Sequence, residues 1–270
     1  MNGLSSVQPN FGNYYGYYGN YPDSRQYYMP LQKEEVQEPN TAKTLVTAGL
    51  LQAFAMFLQK ASQWCGNKLM QGKEFTSAAN IHKTAQNMVK NNKLNVTVDF
   101  IDSKNINNYG EGLREALKPV ARGENAFYTD QLKLAVAPKS KPSLILHELG
   151  HAINAHKGKF LRFLQKSRGY AAAVPTALLL LNGAIPPRED NKKNFIERNA
   201  GLIGFASFLP TIVEEGLASI RGVKAAKQTL GKAVNLAPLK RNYFFAWLTY
   251  VIAGIGLGVA AKQSLLSNKE

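Results

Sequence analysis

The chain has only four histidines, and two of them, His147 and His151, stand one helical turn apart within Lys141 to Gly158. Pro142 suits a first helical turn and Gly158 a helix end, so the spacing predicts one helix of about four turns over 141–158. At about 100° per residue, both imidazoles share a face of that helix and can grip a single Zn²⁺. Glu148 follows the first of them, where its carboxylate can act on a water without itself binding the metal. These three residues imply metal-assisted hydrolysis. Leu144, Ile145, Leu149, Ala152 and Ile153 form an apolar stripe that would bury the helix. His156 lies about 180° round from His147 and is not expected to be a ligand. His82 reads as an ordinary surface or core histidine.

Two imidazoles leave zinc short of a ligand. Cys65 is the only cysteine, which excludes an internal disulfide and a cysteine-based zinc site. The missing ligand must therefore be a carboxylate. Glu214 and Glu215 sit in an apolar setting, Thr211 to Ser219, where unpaired charges are costly. Neighbours on a helix differ by about 100°, so at most one of the two is expected to face the metal. The same pair could instead be the acidic first turn of a helix opened by Pro210.

The elements around these residues are of two kinds. Residues 76–92 read as a helix, 94–101 as a strand, and 131–137 as a second strand with Leu132, Leu134 and Val136 on one face. At a sheet edge this second strand could pair with an extended peptide; otherwise it is an ordinary buried strand. The other kind is apolar. Lys157, Lys159, Arg162, Lys166 and Arg168 form a basic collar ahead of the uncharged stretch 169–187, and a charged loop over 188–198 separates that from uncharged 199–213. Asn242 to Ala261 is uncharged, aromatic at one end and followed by Lys262, which predicts a transmembrane helix. Thr44 to Gln59 is shorter, and it could equally be a buried, membrane-surface or spanning helix. Residues 1–40, rich in Tyr, Gly and Asn, read as a disordered tail and show no secretory signal. The net charge of +15 suits the flanks of membrane segments or an anionic surface, and no nucleic-acid motif accompanies it.

Three segments in order resemble the gluzincin metallopeptidase family that includes the CAAX prenyl proteases and the bacterial heat-shock membrane proteases. They are Asn125-Ala126-Phe127, then His147-Glu148-Leu149-Gly150-His151 with a further His156, and then Glu215-Gly216-Leu217-Ala218-Ser219-Ile220-Arg221-Gly222. The likeness covers about 125 to 225. It implies an α+β, mostly helical zincin-like fold with a small sheet and membrane-associated helices. The peptidase domain would occupy 41–240, with a hydrophobic hairpin at about 170–213, and 241–270 would form the C-terminal membrane helix and a short tail. It further implies a zinc endopeptidase in which His147, His151 and Glu215 hold the metal, Glu148 is the catalytic base, and the substrate is a peptide or membrane protein. The sequence departs from the family at Ser219, where an aspartate usually orients a ligand imidazole. A degenerate member acting as a membrane scaffold is the alternative. For His147, His151 and Glu215 to meet, any membrane crossings between them must be even in number. A partly inserted hairpin meets this condition if Pro210 opens the ligand helix, and the collars place the site on the cytoplasmic side.

Overall fold

The computed structural model describes residues 41–185 and 193–266. The expected tail over 1–40, most of the charged part of the loop at 186–192, and residues 267–270 lie outside the described residues. The chain is mostly helical with one small sheet, and it divides into a sheet-bearing half and a long-helix half.

In the first half, α1 (Thr41–Gln71) leads into α2 (Ala78–Asn91), which starts at Ser77, whose side chain accepts from the Asn80 N–H. Then follow β1 (Thr97–Ile101), α3 (Glu111–Ala121), β2 (Phe127–Thr129) and β3 (Leu134–Pro138). The strand order is β1-β3-β2, with β1 parallel and β2 antiparallel to β3. All five β3 residues are buried, and both of its faces are covered. Ala135 and Ala137 join the α2 side of the core with Ile81, Met88, Ile145 and Leu149. Leu134 and Val136 meet Leu117 and Val120 of α3. Of the two readings of this strand, the buried one holds. The strand within 131–137 is central rather than an edge, and Leu132 lies in the turn before it, exposed. The edge near the predicted zinc helix is β2, which opens with Phe127 of the Asn125-Ala126-Phe127 segment. His82 is exposed and stacks on Phe100 at 4.0 Å, as befits a packing histidine.

The predicted zinc helix is α4 (Leu144–His156). After it, Gly158 takes a positive φ of 96° that only glycine adopts without strain, and the chain turns into α5 (Lys159–Ser167). A 3₁₀ turn leads to α6 (Val174–Gly183), α7 (Phe195–Leu230) and α8 (Ala237–Leu266).

Pro210 does not open the ligand helix. Asn194 does, through a capping box in which its side chain accepts from Glu197 N–H and the Glu197 carboxylate accepts from Asn194 N–H. Pro210 sits inside α7 and removes one backbone donor, yet the helix continues through it, packed along one side by α8 and α4. The second arm of the expected hairpin is thus the front half of the ligand helix. Two helices, Phe195–Ala233 and Ala237–Leu265, are long and apolar enough to cross a membrane. They run antiparallel in close register: Trp247 Nε1 donates to Ile212 O at 3.0 Å, Gly258 abuts Gly201, and Lys262 Nζ donates to Glu197 O at 2.5 Å.

Candidate metal centre

The site is built where α4 and α7 cross antiparallel, and three contacts spaced four residues apart set their register. A Cβ on Gly222 would stand 2.9 Å from Leu146 O, one on Gly150 would stand 2.7 Å from Ala218 Cα, and Asn154 Nδ2 donates to Glu214 Oε1 at 3.0 Å. The two main chains therefore touch, and the residues between these rungs face each other across the narrowest gap available to helices.

In that gap lie three of the four residues expected from the sequence. His147 Nε2 is 3.1 Å from Glu215 Oε2, His151 Nε2 is 3.0 Å from His147 Nε2, and His151 Nε2 is 3.6 Å from Glu215 Oε2. Each offers one ligand atom, the three atoms lie within 4.8 Å of one another, and all three residues are buried. This group could hold a metal ion.

The far side of each ring is also fixed. Ser219 Oγ lies 3.1 Å from His147 Nδ1, and Glu214 Oε1 lies 2.7 Å from His151 Nδ1. Such partners hold the ring plane and leave Nε2 for the metal. Ser219 thus occupies the orienting position directly. Of the adjacent glutamates, Glu215 faces the ligand atoms while Glu214 reaches the back of His151, so both are buried, each against a different side of that ring.

Arg168, read from the sequence as part of a basic collar, turns inward instead. Its guanidinium pairs with Glu214 Oε2 through Nη1 at 2.9 Å and with Glu215 Oε1 through Nη2, leaving Oε2 of Glu215 toward the histidines. Arg221 Nε donates to Asn154 Oδ1 at 2.5 Å, which extends the network from Glu214 through Asn154. From α8, Tyr243 packs against the His147 ring with centroids 5.5 Å apart and donates its hydroxyl to Ser143 O at 2.6 Å. Asn154 had a sequence signal, since it falls seven residues after His147 on the same helical face. Arg168 and Tyr243 had none beyond a lone arginine beside a charge-free run and a tyrosine in a presumed membrane helix.

Glu148 is buried, and its Oε2 meets no hydrogen-bond donor among the described residues. Burial pushes its carboxyl above the usual carboxylate range, opposed in part by His151 and His147. Burial disfavours a charge on His151 too, but the Glu214 and Glu215 carboxylates hold its pKa well above the ordinary imidazole value. Two buried carboxylates thus favour a positive charge on this imidazole, a charge that a divalent cation between the same groups would supply instead. The donor set, the secured rings and the unpaired Glu148 oxygen all fit a metal ion with a water beside it. His156 lies away from this group, exposed, with Nδ1 2.9 Å from Ala152 O.

No family model, curated protein or solved structure matches this chain. The site's geometry alone carries the functional argument.

Proposed function

We propose that the chain is a membrane-bound zinc endopeptidase with a zincin-like fold, related to the gluzincin family it resembles. The observation that carries this reading is the unpaired, buried Glu148 oxygen beside three converging ligand atoms whose rings are already secured. A buried carboxylate left without a partner is costly, and a catalytic role accounts for it.

His147, His151 and Glu215 would hold Zn²⁺, which supplies Lewis-acid polarisation of a carbonyl and a lowered pKa for a neighbouring water. Glu148 takes the proton of the attacking water and returns it to the leaving amine; its raised affinity for a proton suits both steps. Ser219 and Glu214 keep the imidazoles in orientation. The edge strand β2 packs against α4, where its outer main-chain groups can pair with an extended peptide, a part β3 could take only at a sheet edge. The two long apolar helices support residence in a bilayer, with the site toward the cytoplasm as the collars suggest.

The test is zinc content and peptide cleavage of the parent and Glu148→Gln in detergent. Both should carry zinc, and the variant should lose about 10²- to 10⁴-fold in cleavage rate. A variant that cuts as fast as the parent refutes the assignment. The neutral Ser219 favours a second reading, a scaffold that keeps the fold without the chemistry, and a well-folded parent without zinc would select it.

A further inference from the structure

The helix between the metal helix and Arg168 presents an unusual outer face. Around α5, Arg162, Lys166, Lys159, Phe163 and Phe160 follow one another over one exposed arc, while Leu164 turns inward. Phe160 and Phe163 are 67% and 62% exposed, and Tyr170 just beyond is 75% exposed, values a water-facing surface does not favour. No acidic residue occurs between Glu148 and Glu189, so α5 itself contributes only basic charge beside its aromatic residues.

Its depth in the molecule is fixed by Arg168. Through the pairs with Glu214 and Glu215, Arg168 holds the end of α5 level with the point where α7 passes from uncharged Asn199–Val213 to charged sequence. Trp247 marks the same level on α8 through its bond to Ile212 O, with Tyr250 and exposed Phe244 nearby on the helix. Below it, Leu178 of α6 packs with Ala200, Ala261 and Leu265, while Leu180 and Leu181 point outward. The molecule thus has an apolar zone bounded by an aromatic rim, and α5 lies along that rim.

We propose that the outer face of α5 is a docking surface for anionic lipid headgroups, with Phe160 and Phe163 dipping into the interface and Lys159 and Lys166 reaching phosphate. Lysine stems lie along apolar surface while their charges stay with the headgroups. The charge complementarity is with an acidic leaflet, where each basic residue near the surface adds to the attraction. It follows that the candidate metal centre lies at the membrane boundary. The inference rests on the membrane half of the reading above and is independent of the peptidase chemistry.

The experiment places spin labels on the full chain through Phe160→Cys or, separately, Ile255→Cys, each with Cys65→Ser, reconstituted in phosphatidylcholine vesicles with or without phosphatidylglycerol. Accessibility to oxygen against a water-soluble nickel chelate reports depth. The label at position 255, on the outward side of α8, should lie among acyl chains in both lipids. The label at position 160 should reach headgroup depth with phosphatidylglycerol, and should return toward water in high salt or with Lys159→Gln and Lys166→Gln together. If 255 is embedded while 160 stays equally hydrated in both lipids, this inference fails alone. If 255 itself is in water, the membrane reading falls and this one with it. Strong dipolar coupling between labels at 160 on separate chains would make the face a contact between copies and also overturn the proposal.

Discussion

Arg168 shows how a single side chain can shape a candidate metal centre without offering a ligand atom of its own. By pairing with one oxygen of Glu215 it leaves the other as the sole donor facing the histidines, and by pairing with Glu214 it steadies the carboxylate behind His151. A guanidinium can bridge two carboxylates in this way because its donors form a rigid fork, which an ammonium lacks. Arg168→Met should therefore lower metal affinity on the order of 10- to 100-fold, measured by competition with a chromophoric chelator, and Arg168→Lys should recover only part of the loss. Ser219 makes the same point from the other side. Its hydroxyl lies 3.1 Å from His147 Nδ1, so it can orient the ring while supplying less charge than a carboxylate would.

At the scale of the helix pair, the site depends on contact between main chains. Gly150→Ala would drive a methyl into the backbone of Ala218, and the helices would have to part. Overpacking of this kind costs about 1–3 kcal/mol, and it should appear as a lower thermal midpoint together with weaker metal binding. The HExxH spacing made α4 and its two ligands legible because helical periodicity alone puts them on one face. Glu215 was separable from Glu214 only through the family resemblance, since both are buried and their different partners come from α4 and from the turn after α5. The position of β3 was hidden for a related reason: a strand covered on both sides carries no polar face to betray its rank in the sheet. Pro210 misled because proline ordinarily starts or stops helices, whereas here the Asn194 capping box and the packing of α7 decide. Arg168 could not be found, as nothing local distinguishes an inward arginine from its outward neighbours.

At the scale of the molecule, α7 carries in one rod both an apolar stretch long enough to cross a membrane and the carboxylates of the candidate site. The levels marked by Glu197 with Lys262 and by Ile212 with Trp247 are fifteen residues apart on both helices, about 22 Å at the rise of an α-helix. This is thinner than a typical hydrocarbon core of about 30 Å. A thick bilayer must then thin locally around the pair, and the resulting strain bears on α7, the helix that carries Glu215. Peptide cleavage by the reconstituted protein should accordingly fall as phosphatidylcholine chains lengthen, a trend readable from initial rates at fixed protein-to-lipid ratio. Equal rates across the series would uncouple the helix from its surroundings.

The close approach at Gly150 also bears on which ion the centre accepts. Two backbones already in contact cannot draw nearer for a small cation, and the pairs to Ser219, Glu214 and Arg168 resist spreading for a large one, so the cavity's dimensions are set before any ion arrives. Calcium, with its greater radius and its preference for six to eight oxygens, finds two fixed nitrogens and one carboxylate oxygen. If a metal binds here, its selection by size would rest in part on a glycine that bears no donor atom of its own.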